Sequence, residues 1–153
     1  IHYVRDNKET VFAQLRSRLD RFYQKVSGLS HLNVVRKSDF SADEAYDFDE
    51  SKIIIFTKEA MNGHTLLELL LKKYELQLEM AAGNYVLALA SVMDTDEGFD
   101  RLADALIEID SQLEKYKSDF EEFYDILKQE GVVHQFLLSC TKWIQPYTKS
   151  CLP

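Results

Sequence analysis

The chain has 153 residues, 46% of them hydrophobic and 29% charged, which suits a single domain with a real core and excludes disorder throughout. Twenty-six acids against eighteen bases leave a net charge of −8, so the basic footprint of a general nucleic-acid binder is missing. No apolar run reaches membrane-spanning length, and the opening Ile1-His2-Tyr3-Val4-Arg5 has no basic region followed by an apolar one, as a signal peptide would.

The stretch "RDNKETVFAQLRSRLDRFYQKVSGL" sets Val11, Phe12, Leu15, Leu19, Phe22, Tyr23 and Val26 at three- and four-residue steps, with Arg16, Arg18, Asp20, Arg21 and Lys25 on the other side. This predicts an amphipathic helix over 7–27, stopped by Gly28. "HLNVVR" predicts a short strand over 31–36, the acidic run "SDFSADEAYDFDES" a loop, and the β-branched "KIIIFT" a strand over 52–57. In "NGHTLLELLLKKY", Thr65 and Glu68 fit a capping box, and Leu66, Leu69 and Leu70 make the apolar stripe of a helix. Two strands follow, over 75–80 and 85–92. A helix then starts at Asp94 or Thr95 with acids in its first turn, where the helix dipole favours them, and Phe99, Leu102, Leu106 and Ile109 recur on one face. Ser118 and Glu121 fit a second cap, although the pattern over 110–120 also allows one helix to run on into the next. "VVHQFLLSCTKWIQ" reads as a last helix up to Pro146, in which Phe136 and Trp143, with Tyr147 beyond it, serve as core or interface residues.

This order predicts an α+β fold: a two-layer sandwich with a small antiparallel sheet and helices on one face, followed by C-terminal helices. The expected division is an α+β domain over 1–110 and a helical extension over 111–153. One strand breaks the usual rule. A two-layer sandwich leaves one sheet face wet, so its strands alternate. Tyr85-Val86-Leu87-Ala88-Leu89-Ala90 is apolar on both sides. Either it is a central strand covered on both faces, or its second face meets another domain or subunit.

Complete catalytic constellations are missing. The five glycines are scattered, with no phosphate loop among them, and neither G-x-S-x-G nor H-E-x-x-H occurs. His2, His31, His64 and His134 lie far from one another and at no metal-ligand spacing, so no zinc site is expected. Cys140 and Cys151 form no CxxC pair, which points to a reducing cytoplasmic setting. "DEAY" at Asp43 to Tyr46 resembles an acidic element of pyridoxal-phosphate enzymes, but Tyr replaces His and no apolar strand leads into it; it reads as a solvated loop. Lys52, Lys58, Lys72 and Lys73 would be Schiff-base nucleophiles only if buried with a lowered pKa. Lys72 and Lys73 end a helix, where cations are favoured in any case. Glu79 closes a strand beside the small-residue turn "AAGN". It is either a solvent-facing strand residue or a carboxylate turned toward a cationic ligand.

The segment "NGHTLLELLLKKYELQLEMAAGNYVLALASVMDTDEGFDRLADALIEID" resembles the C-terminal part of bacterial Orn/Lys/Arg decarboxylases, pyridoxal-phosphate enzymes of the aspartate-aminotransferase fold. "LDRFYQKVSGLSHLNVV" and "FDESKIIIF" extend the resemblance upstream, so that it covers residues 3–110. It implies the small domain of such an enzyme, with helix 7–27 as its entry. Its apolar faces would be covered by the large cofactor-binding domain and by a homodimer partner. It also implies that the chain is a piece of a longer protein, an idea its opening on Ile1 accommodates. The cofactor lysine of the family lies in a Ser-x-His-Lys motif, which these residues lack, so no pyridoxal phosphate is expected on this chain alone. Decarboxylation leaves a carbanion that needs the cofactor ring as electron sink, so the isolated chain would be inactive. The "LEMA" segment lies near the domain junction in the family, which nominates Glu79, Met80 and Asn84 for contact with a basic amino acid substrate: lysine, arginine or ornithine. An aminotransferase-like small domain is a neighbouring reading. It usually carries an Arg for the substrate carboxylate, and between Tyr74 and Asp110 only Arg101 is available. A free-standing module that binds a protein through its apolar strand face is the alternative from another class.

Overall fold

The computed structural model describes residues 2–41, 43 and 47–129, with 116–129 as backbone. Two compact units divide the chain after Glu114, against an expected boundary after Asp110. The first unit is an α+β sandwich: four antiparallel strands on one layer and helices on the other. Helix α1 spans His2–Lys25, β1 Asn33–Val34, β2 Lys52–Phe56, α2 Gly63–Tyr74, β3 Met80–Ala82, β4 Tyr85–Leu89, and α3 Asp96–Gln129. A single 3₁₀ turn, Lys37–Asp39, follows β1. Of the second unit, only the α3 backbone is described.

The sheet order is β1-β2-β4-β3, every neighbour antiparallel. Ile53 opposes Ala88 and Ile55 opposes Val86, and all four are buried. With Val34 they form the floor on which Leu15, Leu19 and Phe22 of α1, Leu66 and Leu70 of α2, and Phe99, Leu102, Leu106 and Ile109 of α3 pack as one core. Burying each such side chain is worth about 1.5–3 kcal/mol, which makes this layer the main source of stability.

Helix α1 begins earlier than the expected residue 7 and is bent there: Asn7 leaves helical geometry (φ −119°, ψ 15°), and its side-chain amide donates to the Tyr3 carbonyl at 2.9 Å. Burial starts only at Val11, so the first turns carry Tyr3 exposed.

Helix α2 corrects the expected cap. It starts at Gly63, and the capping side chain is Asn62, which accepts from the His64 N–H at 2.8 Å. Glu68 instead holds Lys72 one turn on, at 2.7 Å. A glycine is required at the first helical position. A Cβ on Gly63 would lie 2.3 Å from the Tyr85 carbonyl oxygen, and the Gly63 N–H donates to the Gly83 carbonyl at 2.8 Å. The helix ends at Glu75 in left-handed geometry (φ 55°), and the Leu76 N–H returns to the Leu70 carbonyl at 3.0 Å. That ending consumes the start of the expected strand 75–80, which the ladder shortens to Met80–Ala82. Leu76 and Leu78 are half-buried against the core outside any strand, which explains their alternation.

The β3–β4 hairpin turns on two residues, with Gly83 at φ +54° and Asn84 at negative φ, the signs of a II′ turn. Strand β4 ends at Leu89, short of the expected residue 92. In α3, Thr95 Oγ1 accepts from the Gly98 N–H at 3.2 Å, so the expected start holds. The expected break at Ser118 does not occur: the helical backbone runs on to Gln129. The expected last helix up to Pro146, with Phe136, Trp143, Tyr147, Cys140 and Cys151, lies outside the described residues.

Candidate functional site

The register sorts the residues of β4 onto the two faces of the sheet. Tyr85 and Leu87 point away from the helices, as do Ile54 and Phe56 of β2 and Met80 of β3 paired with them. Phe56 and Tyr85 pack with their rings tilted at 52° and centroids 5.8 Å apart. Among the described residues of the first unit no element lies over this face; Met80 and Leu89 stay 42% and 52% exposed, while Ile54, Phe56, Tyr85 and Leu87 are half-buried. The strand is therefore central in the sheet, and no described element of the first unit covers its second face.

The three nominated residues sit around this face at separate points. Glu79 immediately precedes β3; its N–H donates to the Leu87 carbonyl at 3.0 Å and its side chain is exposed. Met80 follows, opposite Leu87 on the bare face. Asn84 lies beyond the other end of β3, in the turn, about 10 Å or more along the strand from Glu79. What Asn84 supplies is its carbonyl, which accepts from the Thr57 N–H at 2.8 Å and the Thr57 hydroxyl at 2.9 Å. Glu79 and Met80 are neighbours; the structure does not bring Asn84 to them.

The lysines singled out from the sequence are all engaged. Lys52 faces Asp49 at 3.6 Å, and Lys58 donates to the Ser30 carbonyl at 2.6 Å. Lys72 holds Glu68, and Lys73 holds Glu108 at 2.7 Å. The hydrogen bond to Glu108 raises the Lys73 pKa above the ordinary lysine value, and the bond to Asp104 raises that of Lys25. Schiff-base formation needs the opposite shift, toward a free amine at neutral pH. Lys73 and Lys25 are thus held away from the free-amine form that a Schiff base requires. Arg101 donates to the Tyr74 carbonyl at 2.9 Å, so its guanidinium closes the end of α2. Among the described residues no group of three or more His, Cys, Asp or Glu could hold a metal ion. Of the "DEAY" loop only Asp43 lies within them.

Two polar residues carry roles that the sequence did not announce. Asp110, 7% exposed, turns its carboxylate to the loop after α1 and accepts three backbone N–H groups, from Ser30 (2.9 Å), His31 (2.8 Å) and Leu32 (2.7 Å). Tyr23 is buried with its hydroxyl donating to the Glu50 carbonyl at 3.2 Å, and the Arg36 guanidinium lies over its ring at 5.6 Å. Burial, with help from Glu50, pushes the Tyr23 phenol up to about 12. Both tie loops to helices. The α1–α3 seam is held at the surface by Arg18 and Arg21 on Asp96 and by Lys25 on Asp100 and Asp104.

Comparison with protein-family models, with curated proteins and with solved structures found no match. Among the described residues, no helix is long and apolar enough to cross a membrane.

Proposed function

We propose that this chain is the C-terminal small-domain part of a pyridoxal-phosphate-dependent decarboxylase acting on a basic amino acid (lysine, arginine or ornithine) in the cytoplasm. In the intact enzyme it closes over the active site and contributes to selecting the cationic side chain; by itself it is inactive. The reading rests on the motif string from Asn62 to Asp110. The observation that supports it is the bare apolar sheet face, the surface a small domain presents to a large domain of the same chain. Glu79, exposed immediately before β3, is the carboxylate nominated for the substrate's cationic end, with Met80 beside it. The lysine and phosphate cradle belong to the large domain, and a homodimer partner completes the assembly.

The bare face supports a free-standing interaction module too, and one experiment separates the two. The complete reading frame is expressed, loaded with pyridoxal phosphate, and assayed for carbon dioxide release from lysine, arginine and ornithine. The expected result is release from one of them by the full-length product and none by the 153-residue chain. A reading frame without a large domain, or a full-length product that decarboxylates none of the three, would overturn the enzyme reading in favour of the module.

A further inference from the structure

A cleft of about 170 Å³ lies between the inner end of β4, the segment after α2 and the first turns of α3. Its walls are apolar: Ile53, Leu78, Ala88, Phe99 and Leu102. A dry apolar cavity of about 150 Å³ holds one benzene molecule, so the room here suits a single six-membered ring or a short branched chain. Among the described residues, Asp94 is the one charged residue lining the cleft, and no cation lines it. One Asp94 carboxylate oxygen accepts from the Ser91 N–H at 2.6 Å, which leaves the second with its lone pairs for a ligand. The N-terminus of α3 would by itself disfavour a cation at this place; Asp96 is engaged by Arg18 and Arg21, and Glu97 in the same turn offsets part of that field.

Gly98 supplies an independent observation. It lies in the first turn of α3. Nothing in the fold asks for it: its backbone lacks the left-handed geometry, and a Cβ built there would meet only Thr95 Oγ1, at 3.7 Å. What its missing side chain does is keep the cleft open, since Gly98 is part of the lining.

We propose that this cleft binds a small primary amine with an apolar body: the ammonium sits at Asp94, and the body displaces water from Ile53, Leu78, Ala88, Phe99 and Leu102. The site is distinct from Glu79 and Met80 and does not rest on the decarboxylase reading, so either can fail alone. The test is a ¹H–¹⁵N chemical-shift titration of the whole chain with benzylamine and, as its uncharged counterpart, benzyl alcohol. Benzylamine is expected to give saturable shifts at Leu78, Ala90 and Gly98, with benzyl alcohol at least about fivefold weaker, as one partly exposed charge-assisted contact allows. Asp94→Asn keeps an acceptor for the Ser91 N–H and is expected to remove the preference for the amine. Gly98→Leu is expected to abolish binding of both probes, and Gly98→Ala, the smaller intrusion, to weaken it. Absence of saturable shifts, equal affinity for the two probes, a preference that survives Asp94→Asn, or binding unchanged in both Gly98 variants would each overturn the proposal.

Discussion

The two faces of the sheet are built from the same residue types and have opposite fates. Ile53, Ile55, Val86 and Ala88 are buried under three helices, while their neighbours Ile54, Tyr85 and Leu87 are half-buried and Leu89 is exposed, with no described element of the first unit above them. Residue type therefore does not decide burial here; register does. A strand alternates faces at every residue, so Val86 and Leu87 are separated by one peptide and by the whole thickness of the sheet. An apolar face left bare is informative, because a free-standing domain gains nothing from it and risks association through it.

The comparison would break if truncation cost the same on both faces, and the largest effect belongs to the inner one. Ile55 is fully buried at the sheet centre between the helices. Ile55→Ala is expected to destabilise the chain by about 4 kcal/mol, the transfer of the lost methyl groups plus an unfilled cavity. Urea unfolding followed by far-ultraviolet circular dichroism measures it; a cost below about 1 kcal/mol would mean that the helices do not pack on this face as described.

The helical layer is held over that face partly by Asp110, which gives the next effect. Asp110→Ala leaves three backbone N–H groups without their acceptor. The expected cost is about 3 kcal/mol, since bonds to a charged acceptor are worth more than neutral ones and the vacated donors are partly shielded from water. Amide exchange at Ser30, His31 and Leu32 should accelerate more than elsewhere in the unit. Uniform acceleration would assign the loss to the whole fold rather than to this tie.

Tyr23 sharpens the inner side of the comparison through pH. Its phenol is raised to about 12 in the folded chain, above the value near 10 of a free tyrosine. Between those values the unfolded chain loses its proton first, so the folded state is progressively disfavoured as pH rises from about 10 to about 12. Below pH 10 the group contributes no pH dependence. The phenol still sees some solvent, so the part lost is about 1–2 kcal/mol rather than the full shift. Wild type and Tyr23→Phe compared at pH 9 and pH 11.5 isolate it from the lysines that titrate in the same range: the fall with pH should be smaller in the phenylalanine variant.

Most of this layer arrangement was legible in the residues. Leu15, Leu19 and Phe22, or Leu66 and Leu70, mark their buried faces by helical spacing, and the start of α3 beside Thr95 follows from the acids of its first turn. The errors share a cause: local patterns that a neighbour overrides. Thr65 and Glu68 have capping-box spacing, yet Asn62 begins the helix earlier because Gly63 must pass close to Tyr85. Leu76 and Leu78 alternate like a strand, yet the left-handed Glu75 and the closing bond to Leu70 leave them outside the ladder. Ser118 and Glu121 resemble a cap, yet with neither proline nor glycine between Phe99 and Gln129 nothing stops the helix. Of the site, the sequence pointed to Glu79 but could not show that Asn84 sits at the far end of the hairpin. Nor could it show Asp110 turning from its helix to a loop some eighty residues away.

The smallest effect is expected on the outer face, and it is the one that tests what the comparison means. Ile54 and Leu87 are register partners at the middle of that face. The double variant Ile54→Thr, Leu87→Thr places strand-compatible β-branched residues at both positions and removes apolar surface that no described element of the first unit packs on. Its cost to the isolated chain should stay below about 1 kcal/mol, the range of half-exposed strand positions. In a full-length protein whose remaining domain lies on this face, the same pair creates two polar groups at a buried junction. The cost then rises to that of unsatisfied hydroxyls, about 1–3 kcal/mol each, and shows as weakened domain docking. A double variant that is severely destabilised already in the isolated chain would mean that the face is covered from within. One that is harmless in both settings would mean that its apolar surface serves no partner. Only a cost that appears with the longer protein assigns the second face of β4 to a domain beyond these 153 residues.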